Sequence, residues 1–339
     1  MILPDFIKNL KSKVDHELKK NLYRNLVFKG GGVRGIAYLG ALEVLDEIGI
    51  FQNIQRVAGT SAGAIAATLV SFPLTIQEAR QVFNSLDISQ IPHSGTDKGM
   101  QKLLHPIENA NYQRFFKNYG WYSSKYFHKW LEGVIAEQCG GNPRATFADF
   151  QALGFRELHI VAANLSRHRA EVFSAARTPN VAVADAVRMS ISIPIFFEAL
   201  RFDGKELGDG DYYVDGGLYD NFPMHIFDQP EFARRGWTYH DSVNWETLGL
   251  FLYPAQLRDQ DTPDIPENVW EFLTLAFRSM YYSHQISNYQ TNPVDKLRTI
   301  EISDCGVGSM EFNIKPDDPK YRQLHQSGQN AVREFFGLA

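Results

Sequence analysis

Residues 56–63 read RVAGTSAG, and this stretch decides the fold. A short apolar run leads into a serine between two glycines, and small residues follow. The segment Gly59-Thr60-Ser61-Ala62-Gly63 matches G-x-S-x-G, in which a strand turns sharply into a helix and exposes the serine hydroxyl. Gly59 and Gly63 leave out side chains that would clash in such a turn. The pattern predicts Ser61 as a nucleophile; the alternative is an ordinary serine in a glycine-rich turn.

A second glycine-rich stretch lies upstream of the serine. The apolar residues 26–29 predict a buried strand that leads into Gly30-Gly31-Gly32-Val33-Arg34-Gly35. Residues 36–48 follow, with leucines at helical spacing on one face. Strand, helix, strand, helix in this order predicts an α/β fold with a mostly parallel central sheet and crossover helices.

The glycine stretch also fits G-x-G-x-x-G, the dinucleotide-binding pattern. That site needs an acidic residue about 20 positions further on, but residues 50–58 contain no Asp or Glu. We therefore interpret residues 30–35 as an oxyanion loop, with Gly31, Gly32 and Val33 as the foremost N–H donors. For Arg34 three roles stay open: holding the loop, meeting a lipid phosphate, or serving as an ordinary structural arginine.

A carboxylate follows a later strand, predicted over residues 212–214 and ending in Asp215-Gly216-Gly217. Asp215 is a candidate base for the serine, and the two glycines allow its backbone to lie against the serine turn. The alternative is a simple Asp-Gly turn. A carboxylate with an ordinary pKa is a weak base for a hydroxyl, so this role requires a dry, preorganised site. His225 would be a more familiar partner, but it lies outside the three motifs and is interpreted as structural.

Composition excludes several classes of protein. The chain has 339 residues, 44% hydrophobic and 22% charged, with a net charge of −5, which argues against a nucleic-acid-binding protein. Its two cysteines form no disulfide framework or zinc pattern. The acidic stretch 203–220 lacks the spacing of an EF-hand, and we interpret it as a solvated turn. No metal and no cofactor are expected.

Residues 1–25 predict a basic amphipathic helix, either docked on the domain or in contact with a membrane surface. Residues 26–339 are assigned to one domain, with the motifs in 26–225 and an extension of helices and strands in 226–339. No apolar run is long enough to span a membrane, and no signal-peptide core is present. We expect a cytoplasmic protein, or one delivered without a classical signal peptide, with transient membrane association. The aromatic stretch 112–130 and the apolar stretch 267–289 are either core packing or a lid and acyl channel.

The three motifs, together with residues 189–197 and 214–223, resemble the patatin-like phospholipases. The resemblance covers residues 26–225; the rest of the chain resembles no family that we can assign. It implies an α/β/α sandwich, a Ser61–Asp215 dyad in place of a triad, an oxyanion hole in the glycine loop, and lipid acyl hydrolysis without a metal.

The expected function is therefore that of a serine lipid acyl hydrolase of the phospholipase A or lysophospholipase type, acting through an acyl-enzyme. Its expected partners are a phospholipid or other acyl lipid and a peripheral membrane surface; the need for an activating partner or ligand stays open. Two alternatives remain: an esterase or thioesterase acting on soluble acyl compounds, and a non-catalytic protein that binds lipid or nucleotide.

Overall fold

The computed structural model describes residues 21–91, 115–253 other than 235, and 292–338, together with positions 272, 275, 279 and 289. Most of the predicted N-terminal helix lies outside the described residues. So does nearly all of the apolar stretch 267–289.

The strands account for the central layer of the molecule. In chain order they are β1 (Asn25–Phe28), β2 (Arg56–Thr60), β3 (Gly120–Tyr122), β4 (Glu157–Asn164), β5 (Arg169–Phe173), β6 (Ile195–Phe197), β7 (Leu200–Phe202), β8 (Asp211–Asp215), β9 (Tyr239–His240), β10 (Val243–Asn244), β11 (Thr247–Tyr253) and β12 (Thr299–Ser303). Eight of them form one sheet in the order β12-β11-β1-β2-β4-β8-β7, with β5 also paired to β4. The pairs β3–β6 and β9–β10 are separate.

The sheet is mixed but mostly parallel. β12, β11, β1, β2 and β4 run parallel to one another, whereas β5, β8 and β7 are antiparallel to their neighbours. The central strands are apolar and buried along nearly their whole length, as is usual for parallel strands covered on both faces. The predicted α/β fold with a mostly parallel sheet is confirmed.

The helices follow the strands in the predicted alternation. They are α1 (Ile36–Glu47), α2 (Ala62–Ser71), α3 (Ile76–Asn84), α4 (Lys125–Gln138), α5 (Phe147–Ala152), α6 (Val183–Ser190), α7 (Pro293–Leu297) and α8 (Pro319–Phe336). Short 3₁₀ turns include Gly32–Gly35, Gly216–Leu218 and Met224–Phe227. α6 begins at Val183 because Ala182 is extended and bridges Thr146. Residues 120–122, within the aromatic stretch 112–130, form β3, which pairs with β6.

The two faces of the sheet are covered unequally in the described part of the chain. Leu26 and Phe28 of β1 belong to the larger apolar cluster, which includes residues of α1, α2 and α8. Val27, between them, belongs to a smaller cluster with Met224, Ile226 and Phe227. The alternation follows from the two-residue period of a strand.

The C-terminal extension completes the sheet. β11 pairs with β1 and β12 with β11, so residues from beyond the motif region border the strand that leads into the glycine loop. α8 packs closely against α1, and glycines at the contact allow this. A side chain at Gly40 would overlap the carbonyl of His325, and a side chain at Gly328 would overlap the carbonyl of Ala37. The extension therefore lies directly beside the candidate site.

Candidate active site

Ser61 occupies the turn between β2 and α2. Its backbone has φ 55° and ψ −125°, a conformation that non-glycine residues rarely adopt. Such strain persists only where the surroundings fix it, and it is common at functional sites. Side chains at Gly59 and Gly63 would overlap the carbonyl oxygens of Gly63 and Phe28, respectively. The two glycines thus allow the turn to close.

Asp215 ends β8 and lies against Ser61. The Ser61 Oγ donates a hydrogen bond to Asp215 Oδ2 at 2.5 Å. The other carboxylate oxygen, Oδ1, accepts the backbone N–H of Gly217 at 2.7 Å. A Cβ on Gly216 would overlap the carbonyl oxygen of Val161, so only glycine fits between the carboxylate and β4. The structure brings Ser61, Asp215, Gly216 and Gly217 together.

The pairing of β4 explains why the serine and the carboxylate meet. Thr60, the last residue of β2, pairs with Val161 in parallel, and Asp215, the last residue of β8, pairs with Ala162 in antiparallel fashion. β5 pairs with the same part of β4 and occupies its other edge. β2 and β8 therefore approach one edge of β4 from opposite directions and end side by side.

Burial raises the pKa of the Asp215 carboxyl into the neutral range. Asp215 is fully buried, and this desolvation raises its pKa to about 7, against the opposing effect of the hydrogen bonds from Ser61 and the Gly217 N–H. A pKa near the working pH is the optimum for general base catalysis. Among the described residues, no histidine is hydrogen-bonded to the pair, and His225 is largely exposed, with Nδ1 3.7 Å from Asp220 Oδ2.

The glycine loop follows β1 and lies beside the serine. Gly30 N–H donates to the Asn221 carbonyl at 3.0 Å, and Val33 N–H donates to the Ser309 carbonyl at 3.0 Å. The prediction that Val33 offers its amide to an oxyanion is therefore wrong for this structure, because that amide already has an acceptor. In the described part of the chain, the amides of Gly31 and Gly32 have no acceptor, and both residues are partly exposed.

Arg34 holds the loop from within. Its Nε donates to the Val307 carbonyl at 2.7 Å, and its Nη1 lies 3.2 Å from Asp304 Oδ2. The side chain is buried, so of the three roles considered, holding the loop is the one that these contacts support. Gly35 lies behind the donors, in the 3₁₀ turn that leads into α1.

Comparison with known proteins agrees with this arrangement. The family model for patatin-like phospholipases matches residues 26–228. These residues contain the serine turn, the glycine loop and the carboxylate. The chain belongs to the patatin-like phospholipase family of lipid hydrolases.

Relatives extend the match beyond the motif region. An uncharacterized protein of Bacillus subtilis, YqhO, is 31% identical over 295 residues, covering 83% of this chain and 91% of its own length. An uncharacterized protein of Acanthamoeba polyphaga mimivirus is 25% identical over 329 residues, covering 96% of this chain and 97% of its own. A probable lipid hydrolase of Invertebrate iridescent virus 6 is 28% identical over 210 residues, covering 62% and 64%. The extension therefore has counterparts, although no resemblance was assigned to it from the sequence.

Among solved structures, VipD from Legionella pneumophila is similar in fold. It superimposes with a TM-score of 0.57 at 18% sequence identity, covering 94% of this chain and 67% of VipD. This likeness concerns the fold alone.

α6 and the residues just after it hold Ser61 and Asp215 in a way that the sequence analysis missed. Ser190 Oγ accepts the backbone N–H of Ser61 at 2.9 Å and donates to the Val161 carbonyl at 2.6 Å. The Ser192 carbonyl accepts the N–H of Asp215 at 2.8 Å. Both serines stand in the stretch 189–197 that carries the resemblance, so their position in the motif was the available signal.

Ala62, the residue after Ser61, is a second residue that the sequence analysis missed. It begins α2, and in the described part of the chain its N–H has no acceptor. The amide after the nucleophile donates to the oxyanion in other serine elbows, and the helix N-terminus favours negative charge there. This amide is a candidate donor beside those of Gly31 and Gly32.

An apolar cavity of about 70 Å³ opens beside Ser61. One wall is the face of α2 that carries Ala62, Ile65, Ala66, Leu69 and Val70. The remaining lining comes from the glycine loop, from α1, α3, α4 and β6, from the segments after α3 and α6, and from the segment between β12 and α8. Those residues are Gly32, Val33, Gly35, Tyr38, Leu39, Leu42, Ala79, Phe83, Leu86, Ile88, Ile91, Phe127, Ile191, Ile193, Phe197 and Phe312.

The cavity differs in part from the predicted acyl channel. Of the aromatic residues singled out in 112–130, Phe127 lines it, whereas Phe116 and Tyr119 are exposed. The hydroxyl of Tyr38 is turned away into a hydrogen bond with the Lys29 carbonyl. The cavity is therefore almost wholly apolar next to Ser61, and a lining of this kind suits an alkyl chain.

Two further features complete the site's surroundings. In the acidic turn, Asp203 accepts the N–H groups of Lys205 and Glu206, and Asp211 pairs with Arg167.

In the parts of the chain that the structure describes, no group of three or more His, Cys, Asp or Glu side chains is placed to hold a metal ion. Nor does any helix there have the length and apolar character needed to cross a bilayer.

Proposed function

We propose that the protein is a serine lipid acyl hydrolase of the phospholipase A or lysophospholipase type. The observation that carries the proposal is the 2.5 Å hydrogen bond from Ser61 Oγ to the buried carboxylate of Asp215. A serine hydroxyl needs an adjacent base in order to attack an ester, and here the base is a carboxylate with a raised pKa.

In the proposed first step, Asp215 takes the Oγ proton as Ser61 Oγ attacks the carbonyl carbon of the lipid ester. The carbonyl π electrons move to the oxygen, and the N–H groups of Gly31, Gly32 and Ala62 stabilise the resulting oxyanion. When the intermediate collapses, the C–O bond to the glycerol oxygen breaks, and that oxygen receives the proton held by Asp215. An acyl group stays on Ser61.

In the second step, Asp215 takes a proton from water as the water oxygen attacks the acyl-enzyme. A second oxyanion forms at the same donors and collapses: the bond between the acyl carbon and Ser61 Oγ breaks, and a free fatty acid leaves. The proton on Asp215 returns to Ser61 Oγ, which restores the starting state.

The apolar cavity supports a lipid substrate over a short soluble ester. It borders Ser61 and extends along the face of α2 to Leu69 and Val70, so an alkyl chain attached to the reacting carbonyl has apolar surface to contact. We further propose that the substrate is met at a peripheral membrane surface, by a protein that associates with it only transiently. Whether an activating partner or ligand is needed is tested by the experiment below.

The test is labelling with a fluorophosphonate probe in wild type, Ser61→Ala and Asp215→Asn. We expect wild type to be labelled and both variants to lose labelling while remaining folded. Strong labelling of Ser61→Ala would overturn the dyad. If wild type labels only after vesicles or a cell extract are added, an activator is required; if it never labels, a non-catalytic lipid-binding protein is the better description.

A substrate comparison separates the lipid hydrolase from a soluble esterase or thioesterase. Phosphatidylcholine vesicles, lysophosphatidylcholine, a butyryl ester and a soluble acyl thioester are compared by kcat/KM, with Ser61→Ala as the blank. Preference for the butyryl ester or for an acyl thioester would favour the soluble-substrate alternative.

A further inference from the structure

The carbonyl of Gly30 is held by two side-chain donors at the start of the glycine loop. Lys29 Nζ and Asn221 Nδ2 each lie 3.2 Å from the Gly30 oxygen. The Gly30 N–H is held as well, by the Asn221 carbonyl at 3.0 Å. Gly30 thus has both of its backbone polar groups fixed, whereas the next residue, Gly31, has an amide without an acceptor in the described part of the chain.

Because the peptide group is planar, fixing the Gly30 carbonyl also fixes the direction of the Gly31 N–H. In a trans peptide the C=O of one residue and the N–H of the next point to opposite sides of the same plane. When Lys29 and Asn221 hold the Gly30 C=O, the Gly31 N–H must point away from them. Glycines lack the Cβ that would otherwise restrict this rotation, so side-chain anchors are what select one orientation of this peptide.

Ser61 lies close to this peptide. A Cβ on Gly30 would be 3.0 Å from Ser61 Cβ, so the Gly30–Gly31 peptide begins at the nucleophile itself. The other end of the loop is fixed separately, since Val33 N–H donates to the Ser309 carbonyl. The free amides of Gly31 and Gly32 therefore lie between two fixed points.

The burial of Lys29 in this place is energetically unfavourable. It is 5% exposed, and its Nζ lies 4.9 Å above the centre of the Phe251 ring. Its charged neighbours are Arg34 and Asp304. Burial, assisted by Arg34 and opposed by Asp304, lowers the pKa of its ammonium to about 7. A buried amine is unfavourable unless its hydrogen bonds are satisfied, and the acyl-transfer steps proposed above do not use it as acid, base or nucleophile.

We infer that Lys29 is a positioning residue of the oxyanion hole: it holds the Gly30 carbonyl so that the Gly31 N–H faces the oxygen of the tetrahedral intermediate. Lys29 acts through Gly31 and does not touch the substrate. The inference rests on the proposed function, because it requires a tetrahedral intermediate on Ser61.

The test compares two long-chain ketones. In an alkyl trifluoromethyl ketone, Ser61 Oγ adds to the carbonyl carbon, Asp215 receives the hydroxyl proton, and the carbonyl oxygen becomes an oxyanion in the hole. The matched alkyl methyl ketone binds the same apolar cavity without forming the adduct. Inhibition constants, and the ¹⁹F resonance of the adduct, are measured for wild type, Ser61→Ala, Lys29→Met and Lys29→Arg. Steady-state kcat and KM on phospholipid vesicles are measured in parallel.

Lys29→Met keeps the buried stem and removes the donor. We expect it to bind the trifluoromethyl ketone at least ~10-fold more weakly and to lower kcat by about 10- to 100-fold, less than or equal to the loss of a whole oxyanion donor. Affinity for the methyl ketone and KM stay within about twofold. Lys29→Arg, which keeps an N–H donor on a long stem, recovers most of the loss. Lys129→Met is the matched control, since Lys129 lies on α4 and is exposed.

The outcomes separate this inference from the proposed function. If the trifluoromethyl ketone binds wild type and Ser61→Ala equally, both proposals are overturned. If its binding depends on Ser61 but is unchanged in Lys29→Met, only the role of Lys29 is overturned. Equal weakening of both ketones would also overturn it, because that indicates a general structural effect. Should Lys29→Met fail to fold, Asn221→Ser, which removes the other side-chain donor to the same oxygen, decides by the same criteria.

Discussion

Arg34 and Asp304 form a buried ion pair, with Arg34 Nη1 3.2 Å from Asp304 Oδ2. Arg34 belongs to the glycine loop and Asp304 follows β12, at the other end of the chain. The same C-terminal segment accepts Arg34 Nε at the Val307 carbonyl and the Val33 amide at the Ser309 carbonyl. The extension beyond the motif region therefore fixes the shape of the loop that is proposed to stabilise the oxyanion.

Asp304→Asn should weaken both the fold and the loop. Removing one partner of a buried ion pair leaves the other charge unpaired, so we expect a loss of roughly 3 kcal/mol in the free energy of unfolding. Fluorophosphonate labelling of Ser61 should slow as the loop loosens. Chemical unfolding and labelling rates check this, with Asp317→Asn as an exposed control. An unchanged unfolding midpoint would show that the pair does not stabilise the loop.

The rate of labelling should rise with pH through about 7. Asp215 must be unprotonated to accept the Ser61 proton, and its pKa is raised to about 7 by burial. Below that pH most molecules carry a protonated Asp215 and are inactive, and above it the rate levels off. The second-order labelling rate between pH 5 and 9 is the measurement. This rising limb should persist in Lys29→Met; a flat profile would contradict the assignment of Asp215 as base.

Asp215→Asn should stabilise the fold mainly above pH 7. Because burial raises the pKa of Asp215, the folded state binds more protons than the unfolded state between about pH 4 and pH 7, and stability falls as pH rises through that window. Replacing the carboxylate with an amide removes a cost of roughly 4 kcal/mol at most. Unfolding midpoints at pH 5 and pH 8.5 check this, and a gain confined to pH 5 would contradict the raised pKa.

Lys29→Met should stabilise the fold with the opposite pH dependence. The pKa of Lys29 is lowered to about 7, so the unfolded state binds more protons above that pH, and stability rises with pH from about 7 upward. The gain from the substitution is therefore largest below pH 7, where the buried ammonium is charged. A variant that is more stable yet slower in acyl transfer would show the usual trade-off between stability and activity at a functional site.

Ala66→Phe should shorten the acyl chain that the protein accepts. Ala66 lines the cavity one turn of α2 beyond Ala62, at a rise of about 6 Å from it. A phenyl ring there fills the apolar space that the far end of a long chain would occupy. We expect kcat/KM for a palmitoyl ester to fall at least tenfold relative to a butyryl ester. The butyryl rate is the internal control, and an equal fall for both esters would show that the cavity does not hold the acyl chain.

Gly216→Ala should disrupt the dyad, because its Cβ would overlap the Val161 carbonyl and press on Thr60. We expect labelling of Ser61 to be lost and the fold to be destabilised by a few kcal/mol. Gly133→Ala is the matched control: Gly133 lies in α4 with nothing near its missing side chain, and the change should stabilise by up to about 1 kcal/mol. Full activity in Gly216→Ala would mean that Asp215 does not need this backbone position.

Local sequence patterns were sufficient to predict the elements next to the site and the position of the candidate nucleophile. The apolar run before Gly30, the leucine spacing after Gly35 and the G-x-S-x-G turn predict β1, α1 and the elbow, because each depends on residues adjacent in the chain. The roles of Gly59 and Gly63 also follow locally, since the turn itself excludes their side chains. The direction of β8 does not follow, because antiparallel pairing with β4 depends on strands far apart in sequence.

The sequence by itself determined that this chain folds as α/β around a serine elbow, with Asp215 as the candidate base. Only the tertiary structure decided how the two meet, on one edge of β4, and which amides of the glycine loop remain available. Those outcomes depend on Ser190, Ser309 and Asp304, whose contacts with the site join distant parts of the chain. Hydrogen bonds and ion pairs of this kind act through space, so no spacing along the chain records them, and burial, which sets the pKa of Asp215, exists only once the chain is folded.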